Sequence, residues 1–142
     1  MPSTAFYCVM RKEAREVVFK ILYSELYSDY NEDLFIELCN EVRLNAADSD
    51  FAKRLLTCVH ENKAQIDGVI SSLAENYKLE RVYYTDRCAL SIGIAEMTYF
   101  DDIPNVVAID EAMNLCRIYS TKESTSFVNG IFAKYKTILE NK

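Results

Sequence analysis

The stretch FVNGIF, residues Phe127 to Phe132, decides the fold class of this chain. Asn-Gly between apolar residues is a strong signal for a two-residue β-hairpin turn, so the chain could reverse here or continue as a helix. The apolar residues around and after this stretch step by three and four, without the alternation of a strand; they are Val128, Ile131, Phe132, Tyr135, Ile138 and Leu139. This spacing predicts that Asn129 and Gly130 lie inside a helix.

Two details of this last helix follow from the same stretch. A glycine in a helix costs about 1 kcal/mol relative to alanine, so we expect a packing reason at Gly130, such as close approach to a central helix. Upstream, Ser120 and Glu123 have the spacing of a capping box, which predicts the start of the helix.

The composition also predicts an all-α protein. The chain has 142 residues, of which 50% are hydrophobic and 27% charged, so one domain with a substantial core is expected. It contains 3 Gly and 2 Pro, too few for an all-β domain, which needs a turn about every 8–12 residues. Periodic apolar residues predict a compact helical domain of about seven helices.

Residues 86–100 are apolar on nearly all sides, which is typical of a helix at the centre of a bundle. Gly93 would let a neighbouring helix approach this central helix closely. Asp48, Ser49 or Asp50 is expected to cap the third helix. The predicted buried positions elsewhere include Leu26 in the first helix and, in the sixth, Val106, Ile109, Ala112, Met113 and Cys116.

The N-terminal residues, the lengths of the apolar runs and the cysteines indicate in which cellular compartment the protein is expected. Residues 1–9 lack the features of a secretory signal, and we expect them to be a dispensable extension before a domain at residues 10–142, with Met10 as the functional start. No apolar run approaches 18 residues, so no membrane span is predicted. Five well-separated cysteines favour small buried side chains in a reducing cytoplasm over disulfides or a zinc site.

Catalytic chemistry has no support in the residues. The three glycines are isolated, so no Gly-rich loop is present to bind phosphates, and His60 is the only histidine. No thiol, serine or carboxylate comes with the partners that would activate it. We therefore predict no catalytic residues, no metal and no cofactor.

The first helix carries the clearest binding signal. Arg11, Lys12, Arg15 and Tyr23 fall within roughly a third of the helix circumference, where three cations and an aromatic ring could hold phosphates and stack a base. A merely solvated basic face is the alternative. The net charge of −6 opposes non-specific adhesion to nucleic acid, so any such role needs a local patch or a helper protein.

Several motifs in order along residues 10–140 resemble the NusB family of bacterial transcription antitermination factors. RKEARE (Arg11 to Glu16) with Leu22-Tyr23 is similar to the family's basic opening, and Asp67 to Leu73 to its I-D-x-x-I segment. YKLER (Tyr77 to Arg81) is similar to its aromatic-x-L-x-R connector. Two longer stretches are also similar to motifs of the family: IPNVVAIDEAMNLC (Ile103 to Cys116) and STSFVNGIF (Ser124 to Phe132).

The resemblance implies a fold of two packed helical bundles. It implies binding of boxA-type RNA together with the ribosomal protein NusE, within ribosomal RNA operon complexes that contain other Nus factors and RNA polymerase. The family's RNA surface corresponds here to Arg11, Lys12, Arg15, Tyr23, Ser126 and Phe127, with Glu123 beside it. Asp86 corresponds to an acid that faces the protein partner; alternatively it is a first-turn acid favoured by the helix dipole. Phe127 either stacks on a base or is buried.

Some residues depart from the family pattern, and they define the alternatives. Glu13 and Ser126 stand where cations are frequent, Asp110 replaces Asn and Ala133 replaces Asp, so the basic patch is thin. A helical protein–protein module without RNA binding is therefore a second hypothesis. A third is a fragment related to the NusB-like domain of certain ribosomal RNA cytosine methyltransferases.

Overall fold

The computed structural model describes the backbone of residues 4–75 and 79–142 and, within these ranges, the side chains from Arg11 onward. These residues form seven α-helices and no strand, and they confirm the all-α prediction: α1 Thr4–Ser24, α2 Glu32–Glu41, α3 Ala46–Glu61, α4 Lys63–Leu73, α5 Tyr84–Tyr99, α6 Asn105–Tyr119 and α7 Lys122–Glu140. A short 3₁₀ turn, Leu79–Arg81, precedes α5. Tyr77 and Lys78 of the YKLER motif lie outside the described residues.

The helices form two bundles that share a core. Helices α1 to α3 pack together, α4 to α7 pack together, and α5 contacts α1, α3, α4, α6 and α7. Most side chains of α5 are buried, as expected for a central helix; they are Asp86, Cys88, Ala89, Leu90, Ile92, Gly93, Ile94, Ala95, Glu96 and Met97. No helix among the described residues is long and apolar enough to cross a membrane.

The two helical glycines have opposite surroundings. A Cβ at Gly93 would clash with the ring of Phe132 and would lie 3.0 Å from Cβ of Ala112, so this glycine permits close packing of α5 against α6 and α7, as predicted. Gly130 lies inside α7, which confirms the helical interpretation of FVNGIF. However, Gly130 is exposed and a Cβ there would meet nothing within 4 Å, so the expected packing reason is wrong.

Two helices start at other residues than predicted. The cap of α3 lies upstream of the predicted residues, and the cap of α7 lies one residue downstream. Asn45 caps α3, with its side-chain oxygen accepting a hydrogen bond from the Asp48 amide at 2.8 Å, so Asp48 falls within the helix. Thr121 caps α7, with its hydroxyl oxygen accepting from the Ser124 amide at 3.1 Å. The predicted capping box of Ser120 and Glu123 is therefore wrong by one position.

Two predicted buried positions are exposed instead, Leu26 at 49% and Val106 at 55%, and Ile138, part of the apolar spacing of the last helix, is 44% exposed. Leu26 follows the last residue of α1, where the backbone leaves the helix and the apolar stripe no longer faces a neighbour. In α6 the buried stripe runs through Val107 and Ala108, one position along from Val106. Ile138 lies in the last turns of α7. Periodicity locates a stripe well in mid-helix and poorly at the ends.

Candidate nucleic-acid interface

Arg15 lies in the core, 2% exposed, although the sequence places it beside Lys12 on the same helix. Its guanidinium donates to both carboxylate oxygens of Glu96, with distances of 2.6 Å from Nη2 and 2.8 Å from Nε. A second carboxylate, that of Glu111, lies 3.9 Å from Nη1. These contacts join α1 to α5 and α6, so Arg15 does not fit the predicted role of a direct phosphate contact.

Arg11 is also engaged within the protein. Its side chain is 20% exposed, its guanidinium lies 4.3 Å from the centre of the Phe51 ring, and Nη1 lies 3.8 Å from a carboxylate oxygen of Asp102. A guanidinium over an aromatic face is attracted to it, so part of the charge of Arg11 is used to hold α1 against α3. Arg11 can therefore reach a ligand only in competition with these contacts.

Lys12 and Tyr23 remain on the outer side of α1. Lys12 is exposed, and Tyr23 is half-buried at the far end of the same helix. Eleven residues at 1.5 Å each separate them by about 16 Å along the axis. Between them, Phe19 stacks on Tyr119 of α6, with ring centres 4.5 Å apart. This side of α1 thus carries a lysine, Lys12, at one end and the aromatic rings of Phe19 and Tyr23 toward the other.

Tyr23 opens onto a groove of about 400 Å³ that we call the tyrosine groove. The groove lies where α1, α5 and the α6–α7 junction meet, and its lining is rich in rings and hydroxyls: Tyr23, Tyr83, Tyr84, Thr85, Tyr119, Ser120 and Thr121. The ring of Tyr84 packs edge-on against Tyr23 at 5.8 Å, and its hydroxyl donates to the Leu22 carbonyl at 3.2 Å. Tyr83, Tyr84 and Tyr119 were not predicted from the sequence.

Phe127 lines a second groove, of about 440 Å³, that we call the Phe127 groove. Its lining comes from the segment before α5 and from the first turns of α7: Arg81, Val82, Tyr83, Asp86, Thr121, Glu123, Ser124 and Phe127. Phe127 is half-buried and packs against the core on one side, so it is neither fully buried nor fully exposed, and stacking on a base stays a prediction. Ser126 is exposed on the adjacent turn of α7.

Asp86 links the linings of the two grooves: it lines the Phe127 groove and is hydrogen-bonded to Ser120, which lines the tyrosine groove. It is 2% exposed, and its Oδ1 accepts a hydrogen bond from the Ser120 hydroxyl at 2.6 Å and a weaker one from the Cys116 thiol at 3.9 Å. It also lies in the first turn of α5, where the helix dipole favours an acid. This position agrees with the helix-dipole alternative, and a contact of Asp86 with a protein partner stays a prediction.

Glu123 is exposed in the first turn of α7 and lines the Phe127 groove. Its negative charge would repel a phosphate bound in this groove. Two exposed cations lie close to Glu123 in the sequence, Arg117 near the end of α6 and Lys122 at the start of α7. A third, Arg81, is distant in the sequence but lines the same groove.

Three phenols of the tyrosine groove have raised pKa values. Burial raises the pKa of Tyr84 and of Tyr119, and a hydrogen bond with Tyr27 raises the pKa of Tyr23. Burial, reinforced by the nearby Asp86 carboxylate, raises the pKa of the Cys116 thiol to about 11. The tyrosine groove therefore presents rings and hydroxyl groups, which suit stacking and hydrogen bonding, while the Phe127 groove adds the charged side chains of Arg81, Asp86 and Glu123.

The sequence contained one signal for the missed residues, namely tyrosines and threonines that cluster at helix ends. Tyr83 and Tyr84 stand at the start of α5, and Tyr119 and Thr121 flank the α6–α7 junction. Elsewhere, the described side chains include no group of three or more His, Cys, Asp or Glu residues that could hold a metal ion.

Comparison with known sequences identifies relatives over most of the chain. Residues 12–137 match the NusB family. The chain is 36% identical to the transcription antitermination protein NusB of Acetivibrio thermocellus, with 87% of this chain and 86% of that protein covered. It is 31% identical to the protein of the same name from Clostridium botulinum strain Kyoto, with 87% and 97% covered.

Solved structures with the same fold include RNA complexes. A chain from the crystal structure of a plectonemic RNA supercoil has a TM-score of 0.84 and 26% identity, over 94% of this chain and 99% of that one. A chain from the crystal structure of the antitermination factors NusB and NusE with double-stranded RNA has a TM-score of 0.79 and 27% identity, over 90% and 97%. NusB of T. maritima has a TM-score of 0.80 and 32% identity, over 87% and 88%.

Proposed function

This chain belongs to the NusB family, and we propose that it is a transcription antitermination factor that binds RNA together with the ribosomal protein NusE. The observation that carries the proposal is the pair of adjoining grooves, because Tyr23 and Phe127, the two aromatic residues expected at the RNA surface, each line one of them. Aromatic rings that stack on unpaired bases are the usual means of recognising single-stranded RNA.

In its finer form, the proposed ligand is boxA-type RNA in ribosomal RNA operon transcription complexes, with the wider set of Nus factors and RNA polymerase. The proposed role is that of a non-catalytic adaptor in the bacterial cytoplasm. Of the residues expected at the RNA surface, Lys12, Tyr23, Ser126 and Phe127 are accessible for it. Arg15 contributes indirectly, because its ion pair with Glu96 holds α1 in place. Arg11 contacts RNA only after it gives up its contacts with Asp102 and Phe51.

The burial of Arg15 and the contacts of Arg11 also favour a second function, a protein–protein module without RNA binding. They leave the outer face of α1 with fewer available cations than its sequence suggests, in a chain of net charge −6. Under the proposed function, NusE therefore supplies part of the affinity for RNA.

A titration of boxA-type RNA at two salt concentrations, with and without NusE, separates the two functions. We expect binding that is stronger with NusE and that weakens as salt rises, because phosphate contacts release counterions. Binding of NusE without binding of RNA under any condition would support the protein–protein module and contradict the proposed function.

Lys12→Ala refines this titration. Loss of one phosphate contact on single-stranded RNA should reduce the slope of log affinity against log salt by about 0.7. Lys20→Ala is the matched control, because Lys20 is another exposed lysine of α1. Equal slopes for Lys12→Ala and the unaltered protein would remove Lys12 from the RNA surface.

A further inference from the structure

Tyr83 occupies the ridge between the two grooves. It lines the tyrosine groove on one side and the Phe127 groove on the other, and among the described residues Thr121 is the only other one that lines both. Tyr83 was not among the residues predicted to contact RNA. Together with Thr121, it forms the boundary that a strand occupying both grooves would cross.

The ring of Tyr83 is presented to solvent from a fixed backbone. The residue is 66% exposed, and within the described part of the chain its ring contacts no other aromatic ring. Its backbone is held by the 6% exposed Val82 before it and by the first hydrogen bond of α5, in which the Arg87 amide donates to the Tyr83 carbonyl at 3.0 Å. A large exposed ring on a fixed backbone loses little conformational freedom when a ligand stacks on it.

The dimensions and chemistry of the grooves suit nucleobases. Volumes of about 400 and 440 Å³ lie within the range of small-ligand sites, roughly 300–1,000 Å³. Each groove has an aromatic residue of its own in the lining, Tyr23 in one and Phe127 in the other. The hydroxyl-bearing Thr121 lines both grooves, and Ser120 lines the tyrosine groove. Arg81 adds a cation at the Phe127 groove, where a phosphate between two bases could be neutralised.

We infer that Tyr83 is a wedge between two neighbouring bases of a single-stranded RNA, with one base in the tyrosine groove and the next in the Phe127 groove. This inference rests on the proposed function and extends it, since it assigns two nucleotide subsites and the residue that separates them. In this inference the ring of Tyr83, and not its hydroxyl group, contacts the bases, because stacking uses the π-face.

The test uses the full chain with Tyr83→Ala and Tyr83→Phe, measured for binding to boxA-type RNA in the presence of NusE. Loss of one stacking ring should weaken RNA binding on the order of tenfold in Tyr83→Ala, while Tyr83→Phe binds as the unaltered protein does. Tyr99→Ala is the matched control, because Tyr99 is another exposed tyrosine, 43% exposed, away from both grooves. The melting temperature should be unchanged in all three variants.

A second measurement locates the two bases. Replacing successive adenines of the RNA with the fluorescent base 2-aminopurine should change the emission at two neighbouring positions on binding, and Tyr83→Ala should abolish both changes. Tyr83→Trp provides a complementary signal, because the chain contains no tryptophan and the introduced indole should be quenched by the RNA.

Three outcomes would overturn the wedge and leave the proposed function standing. Equal RNA affinity for Tyr83→Ala and the unaltered protein would show that the ring makes no stacking contact. A 2-aminopurine change confined to one position would contradict a separator between two bases. Weaker binding of NusE with unchanged binding of RNA would place Tyr83 in the protein interface. RNA binding that is absent even in the unaltered protein with NusE would instead reject the proposed function, and the wedge with it.

Discussion

At the scale of single residues, Arg15 illustrates how a charge can be committed to the fold. Its bidentate contact with Glu96 lies among buried side chains of α1, α5 and α6, where removing one partner leaves the other charge without compensation. Burial raises the pKa of the Glu96 carboxyl, while the hydrogen bonds from Arg15 act in the opposite direction. Arg15 therefore matters first for the position of α1 and only through it for a ligand.

We expect Arg15→Ala to lower the free energy of unfolding by about 3–5 kcal/mol, because it leaves Glu96 buried and unpaired. Chemical denaturation measures this loss directly. Lys20→Ala, an exposed substitution on the same helix, should change stability by less than about 0.5 kcal/mol. If Arg15→Ala were as stable as Lys20→Ala and bound RNA more weakly, Arg15 would be a ligand contact after all.

Glu123→Gln tests the charge beside the Phe127 groove without changing the shape of the side chain. We expect tighter RNA binding, most clearly at low salt, because a negative charge that repels phosphate is removed and screening is weakest there. The stability loss should stay below about 1 kcal/mol, since Glu123 favours the positive end of α7 through the helix dipole and does not complete the cap. Affinity that is unchanged or weaker at low salt would place Glu123 away from the RNA.

At the scale of helices, the contact between α5 and α7 depends on a residue without a side chain. Gly93 faces the fully buried ring of Phe132 and the methyl group of Ala112, and neither has room to move within the core. Gly130 lies on the open side of α7. The two positions form a natural pair for separating close packing from helix propensity.

Gly93→Ala should reduce stability by about 1–3 kcal/mol because the added methyl group forces α5 and α7 apart. Gly130→Ala should increase stability by up to about 1 kcal/mol, because alanine is the better helix former and meets no neighbour. Thermal unfolding of both variants provides the comparison. A loss of stability in Gly130→Ala, or none in Gly93→Ala, would contradict the packing described here.

At the scale of the whole molecule, two bundles share one core, and the proposed RNA surface lies where elements of both bundles meet. Helix α1 of the first bundle supplies Lys12 and Tyr23, and α5 to α7 of the second supply the other sides of the grooves. The ion pair of Arg15 and Glu96 joins the same two bundles. Stability of the bundle contact and integrity of the surface are therefore linked.

Residues 1–9 are predicted to be dispensable for this arrangement. Deleting them should leave the melting temperature nearly unchanged, because the family match begins at residue 12. Deletion of residues 1–18 is the control and should abolish cooperative unfolding, since it also removes Val17 and Val18 from the core. A large fall in melting temperature on removal of residues 1–9 alone would show that they belong to the folded domain.

The sequence by itself determined the all-α class, the central position of residues 86–100 and the helical state of Asn129 and Gly130, because apolar periodicity and the scarcity of Gly and Pro act locally along the chain. The tertiary structure decided which charges face solvent. Helical spacing puts Arg15 on the same third of α1 as Lys12, and only the packing of α5 and α6 buries one and leaves the other exposed. The tyrosine groove likewise exists only where α1, α5 and the α6–α7 junction meet, because residues distant in sequence converge only after the helices pack.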